Sequence, residues 1–557
     1  MDAVCHLRHN PGGLHAELRH VPQRWEGSGF CLRGASLCPR PPTQPGIRVI
    51  KGVDSPDVSL KPRKQTIVAL GPTLHGVEPK VPNGTTREAL HAALGRQFKA
   101  APMDLSGVIA ELVSACDALS PPGCVKTQPP IPTLDWNARF RGAAKKRKWL
   151  LAHRNRLPSG AERADKIRFF IKRETVLRLK EDGKAFLPRI IAIPPDGWSI
   201  QVGPTIYSFA EYLKRERWSP FDRIVYASGL DKLQLGFAAR EVLKMRFLYK
   251  ADFSKFDAHQ RAEIRRVAFR YLRRCGCTSQ FISLLERIIP SFKFPQRWYH
   301  SSGLTIETEN ASMASGEPGT NLLDTVAAVI IHVAALTKAS GLSTAEVLAD
   351  LRMLVTGDDA LLGLSYAVDF DKLKQAYESY GFPTDIVLCH GMHDAEFCSG
   401  IFLPVKPTEI VIRGQRVVTT LCHSTLPFRE IAKFGYSVNA YGIRHRPRKI
   451  RRFLRGRALG LVKNTASQIV QGFLRGILRL TADVEGHELD YNPGWDRPLN
   501  QVPFEIQPNT VECERYNCSP KTLRRIAEEL AAIPALQCVI RVKIETAVDF
   551  PTREPLP

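Results

Sequence analysis

The sequence predicts an α+β protein of several parts, and three observations point there. Of 557 residues, 44 % are apolar and 24 % charged, the balance of a chain that buries cores. From about residue 134, helical and strand-like runs alternate without a strict strand–helix–strand repeat. No stretch approaches the roughly 18 uninterrupted apolar residues that span a bilayer. The longest apolar run, 326–336, contains His332 and reads as a buried helix.

In chain order, residues 1–130 are dense in Pro and Gly, as in 39–46 and 121–133, and helical periodicity surfaces only at 86–94 and 105–119. They are expected to form a partly flexible extension draped over a larger body. Its Cys5, His6, His9, His15, His20, Cys31 and Cys38 match no standard zinc spacing. Further on, helical periodicity marks 205–215, 230–244, 262–275, 319–340, 369–380 and 521–532. Strand character marks 246–253, 352–356, 360–364 and 409–418. No internal repeat is visible, and the N-terminus lacks the apolar core of a secretory signal. Thirteen cysteines without a Cys-x-x-Cys read as free thiols in a reducing compartment.

Lys and Arg number 79 against 55 Asp and Glu, a formal charge of +24. Such a field favours a polyanion, nucleic acid first and an anionic membrane second. Two basic clusters stand out. Lys145, Lys146, Arg147 and Lys148 precede Trp149. Eight Lys or Arg lie between Arg444 and Arg457. Arg444, Arg446, Arg448, Lys449, Arg451 and Arg452 are candidate RNA-phosphate contacts, against the plainer reading of a solvated basic face.

Four segments carry chemistry. In Lys250–His259 a β-prone run leads to Asp252 near a strand's end, with Asp257 beyond a turn. In 354–363 two apolar runs flank Gly357, Asp358 and Asp359, a hairpin with acids at its tip. Two strands can bring Asp252 and Asp358 side by side, and paired hard divalent cations relieve the repulsion of adjacent carboxylates. In 312–325 a small Gly-rich loop opens a long apolar helix. Gly316 allows close backbone approach, and Ser315, Thr320 and Asn321 offer neutral hydrogen-bonding groups suited to a sugar edge. In 170–193, Lys172 and Arg189 bracket a loop between β-prone runs, opposed cations suited to a triphosphate.

In this order the four segments resemble a viral RNA-dependent RNA polymerase of positive-strand RNA viruses, nearest the tombusvirus-like group. The resemblance covers about 170–405. Asp-x-Ser-x-Phe-Asp-x-His at 252–259 is similar to motif A. Ser315-Gly316 with Thr320 is similar to motif B, and Gly357-Asp358-Asp359 to motif C. Lys172-x-Glu174 with Pro188-Arg189 is similar to motif F, and Phe397–Gly400 to the primer-grip turn. The resemblance implies a right hand. The fingers would be 131–245, and the palm 246–410, an antiparallel sheet backed by helices with a fingers insertion at about 261–311. The thumb would be 411–557. It also implies that Asp252 and Asp358, supported by Asp359, bind two Mg²⁺, with Mn²⁺ as substitute. Asp257 and Ser315, with Thr320, would read the ribose 2′-OH, and Lys172 and Arg189 would hold the triphosphate. Implied partners are single-stranded RNA template and product, ribonucleoside triphosphates, a host membrane surface and replication proteins. The implied place is the host cytoplasm, at membrane-associated replication complexes, with no transmembrane segment visible in this chain.

Two positions depart from the family pattern. Asp324 stands where the family has Asn, and a carboxylate there donates no hydrogen bond unless protonated. No Lys follows Gly381-Phe382-Pro383, so the general acid has no named candidate. Two other readings stay open: a reverse transcriptase sharing the palm, against which Asp257 argues, and a non-catalytic RNA-binding or packaging protein, which explains the charge but not the ordered acids.

Overall fold

The computed structural model describes residues 19–20, 30–33, 46–52, 54, 66–80, 82, 84–98, 103–120, 132, 135–136, 166–172, 174, 176–179, 187–194, 196–288, 296–309, 313–437, 443, 445–486, 502–508, 510–542, 544 and 547–550. The elements that place the site begin with β1 (Ile47–Lys51), α1 (Ile109–Leu119), β2 (Lys166–Ile171), β3 (Ile190–Ile193), α2 (Asp196–Tyr212) and β4 (Ile224–Tyr226). Next come α3 (Lys232–Leu243), β5 (Phe247–Phe253), α4 (Ala262–Arg274), β6 (Gln296–His300), β7 (Thr305–Thr308) and α5 (Thr320–Ser340). Then follow β8 (Arg352–Thr356), β9 (Asp359–Leu364), α6 (Phe370–Ser379), β10 (Thr384–Cys389), β11 (Gly400–Ile412) and β12 (Gln415–Thr425). The last are α7 (Pro427–Phe434), α8 (Pro447–Val462), α9 (Gln468–Leu480) and α10 (Pro520–Ala531).

The mixture of helix and sheet is as the sequence predicts, and seven of the eight expected helices fall within a few residues of those found, while the one expected at 205–215 begins nine residues earlier, at Asp196. Their ends have local causes. Asp231 accepts from the backbone N–H groups of Leu233 and Gln234 while Gln234 returns a bond to Asp231, a capping box that starts α3. Asp369 caps α6 in the same way from one side. A cap of this kind contributes about 1 kcal/mol.

A five-stranded sheet in the order β4-β8-β9-β5-β10 holds the acids. Three of its junctions are antiparallel, but β4 runs parallel to β8, so the expectation of a wholly antiparallel sheet is corrected at that edge. More than 120 residues separate β4 from β8, room enough for the crossover that a parallel pair requires. Helix α5 is apolar on nearly every face and buried on nearly every face, packed against α1, α4 and α6 behind this sheet. By length and composition it is the one helix among the described residues that could cross a membrane, yet 89 % of its apolar window is buried inside the protein. His332 sits in that core with Nδ1 2.6 Å from the Tyr377 hydroxyl.

A second five-stranded sheet, β1-β7-β6-β2-β3, brings described parts of the first 130 residues into the body. Val68 and Leu70 likewise enter the core formed by α7, α8, α9 and α10, and α1 packs on α5. The expected single strand at 409–418 is instead the turn of a long hairpin, β11–β12. Arg413 and Gly414 both take positive φ, the pattern of a two-residue turn, and the dipeptide's glycine was the available signal. Cys116, Cys275, Cys277, Cys389, Cys398, Cys422, Cys513, Cys518 and Cys538 are free thiols.

Candidate active site

Strand β5 carries Asp252 one residue from its end. The register sets Asp252 opposite Asp385 of β10, and Ala251 opposite Ala360 of β9, so Asp359 flanks Asp252 on the other side. Asp358 sits in the two-residue turn joining β8 to β9, where Thr356 pairs with Asp359. Gly357 supplies the positive φ, 60°, that the first central residue of such a turn requires. Four carboxylates therefore share one end of the sheet. The N-terminal turns of α5 hold this hairpin: the Gly357 N–H donates to Thr325 Oγ1 at 2.8 Å, and Asn321 Nδ2 donates to Thr356 Oγ1 at 3.2 Å. Tyr226 Oη in turn donates to Asn321 Oδ1 at 2.5 Å. Each end of the Asn321 amide thus makes one protein contact, and these contacts position the hairpin.

The acids reach solvent at their tips yet stand in a recess crowded by protein and by each other. Crowding raises the pKa values of Asp252, Asp358 and Asp359 while leaving a path for ions. Burial, then Asp358 and Asp385, push Asp252 up to about 6. Burial, then Asp358 and Asp252, push Asp359 up to about 7. Burial also raises Asp358, against Arg189 and Arg96. Groups held above their ordinary range by like charge are what a bound cation relieves.

Cations surround the acids. Arg96, from the turn at 93–97, acts on Asp252, Asp257 and Asp358, and Arg189 acts on Asp358. Arg429 of α7 acts on Asp359 and donates to Ser399 Oγ at 3.1 Å. Lys172 and Arg189 both converge on Glu174: Arg189 holds its two oxygens at 2.6 and 2.5 Å, and Lys172 lies at 3.2 Å. Burial, then Arg429, lower Lys433 to about 8, with Glu174 and Arg189 also close. Arg96, Asp385, Arg429 and Lys433 were missed from sequence. Asp385 could have been found, since its strand follows Gly381-Phe-Pro and alternation puts it on the exposed face. The three cations lie far along the chain in elements with no motif.

The Gly-rich loop docks on β3. Gly316 N–H donates to the Ala192 carbonyl at 2.8 Å, and Ala192 N–H donates to Ser315 Oγ at 3.2 Å. A Cβ at Gly316 would come within 2.6 Å of that carbonyl, so only glycine fits. Thr320 Oγ1 donates to the Glu317 carbonyl at 3.0 Å, bracing the loop from within. The Met313 N–H donates to the Asp257 carbonyl at 2.9 Å, tying the loop to the turn after β5.

Asp257 and Asp324 meet in the pocket behind this loop with Arg265 and Glu317. Arg265 is fully buried and lies 3.4 Å from Glu317. One guanidinium cannot neutralise three buried carboxyls. Burial, then Asp358, push Asp257 up to about 7. Burial, then Asp257, hold Asp324 well above the ordinary carboxylate range, and its Oδ1 has no hydrogen-bond partner. Protonation of Asp324 is favoured by this crowding, and a protonated Asp324 would carry the donor that its carboxylate form lacks, close to an amide in shape and function. Asp324→Asn is expected to keep nucleotide incorporation within about threefold of wild type, whereas Asp324→Ala loses about tenfold by orphaning its neighbours. Steady-state incorporation by the two variants checks this, and an Asn variant as damaged as the Ala variant would refute the neutral-acid reading.

The turn after residue 396 lies beside the acids. Cys398 and Ser399 both take positive φ, and Cys398 Sγ is 3.6 Å from Asp359 Oδ2. The basic helix α8 divides its charges. Arg446, Arg448, Lys449 and Arg452 are exposed. Arg451 instead binds Asp483 and donates to the Leu480 carbonyl at 2.7 Å, closing the end of α9. Arg444 and the cluster 145–149 lie outside the described residues.

Among the described residues no three His, Cys, Asp or Glu side chains converge as a ready metal cluster. The donor set still fits Mg²⁺ or Mn²⁺, which take hard oxygen ligands. Mg²⁺ typically uses one or two carboxylates and fills its shell with waters and substrate phosphates, so a preformed cage is not required.

A sheet end bearing paired carboxylates, ringed by cations and reached over a Gly-rich loop, is the working end of a nucleotidyl-transfer protein. Residues 229–398 match the family model described as viral RNA-dependent RNA polymerase, a stretch that contains Asp252, Asp257, Ser315 to Asn321, and Asp358 with Asp359. On that match the chain is an RNA-dependent RNA polymerase, with RNA template and nucleotides as its substrates. A comparison with curated proteins found no match.

Proposed function

We propose that the protein copies viral RNA by joining ribonucleoside triphosphates to a primer 3′-OH with release of pyrophosphate, and that the sheet of β4, β5, β8, β9 and β10 is its palm. The observation that carries this reading is Asp252 and Asp358 brought to one sheet end by β5 and the β8–β9 hairpin. Divalent ions there would activate the hydroxyl and neutralise charge on the leaving pyrophosphate. The chain's own share is positioning. Asp252 and Asp358 would hold the ions, with Asp359 in support. Lys172 and Arg189 would grip the triphosphate, while Arg96, Arg429 and Lys433 add positive field around it. Asp257, Ser315 and Thr320 frame the sugar side, with Asp324 as donor. The β2–β3 side would be fingers and the α7–α10 bundle thumb. Kinship with the tombusvirus-like group, and work at host cytoplasmic membranes with replication proteins, complete the reading, supported by the motif order and the +24 charge.

The test is incorporation of labelled nucleotide by purified protein on single-stranded RNA with Mg²⁺, ribo- and deoxyribonucleotides compared. Ribonucleotide-selective synthesis supports the reading; RNA binding without synthesis, on primed templates and with membranes added, sinks it.

Metal dependence gives a second expectation. Asp252 and Asp359 titrate in the metal-free fold near 6 and 7, above their ordinary value of 3.8. The native state then binds more protons than the unfolded chain, so these groups cost stability progressively as pH rises through about 4 to 7. Mg²⁺ should raise Tm by about 2–4 °C at about pH 7.5, and by less at about pH 5.5, where protons compete. Calorimetry across that range checks it. A Mg²⁺ shift that survives in Asp252→Asn/Asp358→Asn would place the ions elsewhere.

A further inference from the structure

The turn at 397–400, beside Asp359, is held from a place far along the chain. Phe397 and Gly400 close it with reciprocal backbone bonds at 2.9 and 3.0 Å. Glu396, the residue before it, accepts from Arg515 Nη2 at 2.6 Å, across 119 residues of sequence. Arg515 ends a one-turn helix, Val511–Arg515, and its side chain is 1 % exposed. The guanidinium makes three further bonds. Nη1 donates to the His393 carbonyl at 2.9 Å, Nη2 to the Val548 carbonyl at 3.1 Å, and Nε to Asp549 Oδ1 at 2.9 Å. Asp549 has a fully buried side chain and turns its other oxygen to α7. There Oδ2 accepts the Phe428 N–H at 2.8 Å, one of the helix-end donors that lack an intrahelical partner, and the Tyr516 hydroxyl at 2.9 Å.

Both ends of this chain of charges reach the acids. Arg429 is the residue after Phe428. It donates to Ser399 Oγ at 3.1 Å and interacts with Asp359, Glu396 and Asp549 alike. The Leu426 N–H donates to the Ser399 carbonyl at 3.2 Å, so the turn and the start of α7 are joined. On the other side Glu396 lies 3.6 Å from Lys250, two residues before Asp252 on β5 and on the same face of the strand. A guanidinium buried this deeply with its carboxylates costs desolvation that an apolar set of equal volume would not, so stability alone is a poor reason for it. What the fork does supply is fixed geometry, because its planar donors bind separate segments in one arrangement. The segments are 393–396, 548–549 and, through Asp549, the first turn of α7.

We propose that Arg515 is a positioning residue of the active site, fixing the 397–400 turn and Arg429 against the acids. Its purpose rests on the polymerase reading, and its test has one arm that needs no synthesis. Hydrogen exchange and nucleotide incorporation on primed RNA are compared for the full chain, Arg515→Lys and Glu396→Gln. Glu396→Gln is the milder change, since that side chain is partly exposed and the Arg515–Asp549 pair survives it. Amides of 396–400 should exchange about threefold faster or more in both variants, and those of 428–430 in Arg515→Lys, with β5 and α5 unchanged. In both variants kcat should fall about fivefold or more, with RNA Kd within about twofold of wild type. Arg429→Ala/Glu396→Gln should be no more than about twofold slower than Arg429→Ala, because the two changes act on one arrangement. Asp369→Ala uncaps α6 and leaves this network alone, so it should lower Tm and keep kcat within about twofold. Activity that merely follows Tm across these variants would make Arg515 a structural residue and overturn the proposal. So would costs of Arg429→Ala and Glu396→Gln that multiply. Should Arg515→Lys fail to fold, Glu396→Gln decides. A wild-type chain without synthesis overturns the polymerase reading and the positioning role with it, whereas synthesis with unchanged exchange at the turn overturns this proposal alone.

Discussion

Asp358→Asn is expected to abolish nucleotide incorporation, by about 10³-fold or more, while leaving RNA affinity and thermal stability near wild type. The side chain sits exposed in the hairpin turn, whose neighbours Gly357 and Thr356 are held by Thr325 and Asn321, so removing its charge costs the fold little. An amide of the same shape keeps the turn but cannot share a divalent cation's charge, and several kcal/mol of transition-state stabilisation go with it. Stability should even rise slightly in the metal-free protein, because Asp358 heads the like charges that raise Asp252 and Asp359. Single-turnover incorporation beside anisotropy and calorimetry separates these effects. A variant that retains more than about a tenth of wild-type synthesis would remove Asp358 from the metal site.

Why that hairpin was legible from the sequence, and the rest of the pocket was not, follows from the range of the interactions. Gly357-Asp358-Asp359 between two apolar runs is a local signal, written in turn chemistry and strand alternation within ten residues, and the structure forms it as expected. Asp252 is legible for the same reason. Arg96 and Arg429 reach the acids from about 160 residues before Asp252 and 70 after Asp359, in a π-turn and a short helix whose local patterns say only that they are helical. Asn321 shows a subtler limit. Its sequence position suits a sugar edge, but Tyr226 and Thr356 claim its amide, and neither contact leaves a trace in spacing. The long strand read at 409–418 failed where a single Arg-Gly step reversed the chain. The fate of Asp324 was invisible for an electrostatic reason: its identity warned of a missing donor, and its own burial and the charges of Asp257, Asp358 and Glu317, opposed by Arg265, favour its protonated form.

Arg189→Ala should lower kcat/KM for the incoming nucleotide by about 10²-fold, with nucleotide KM rising and the affinity of short RNA falling far less. Arg189 is exposed, and its guanidinium lies parallel to the Glu174 carboxylate in a two-bond fork, with Lys172 closing the third side. Burial alone would raise Glu174, yet Arg189 and Lys172 hold it below the ordinary carboxylate range, so the trio is charged and carries a net single positive charge. The carboxylate holds both cations in place before substrate arrives, so on the proposed reading the arrangement would need little reorganisation when a triphosphate binds. A preorganised donor aimed at developing charge is worth about 10²–10³ in rate, which sets the size of the effect. Arg189→Lys should recover only part of it, because an ammonium cannot reproduce the fork. Glu174→Gln should cost less, about three- to tenfold, since it loosens the cations without removing either. The order of the three variants is the discriminating result. If Glu174→Gln were as damaging as Arg189→Ala, the carboxylate itself would be meeting substrate. If Arg189→Ala stayed within threefold of wild type, the triphosphate would be held by Arg96, Arg429 and Lys433 instead.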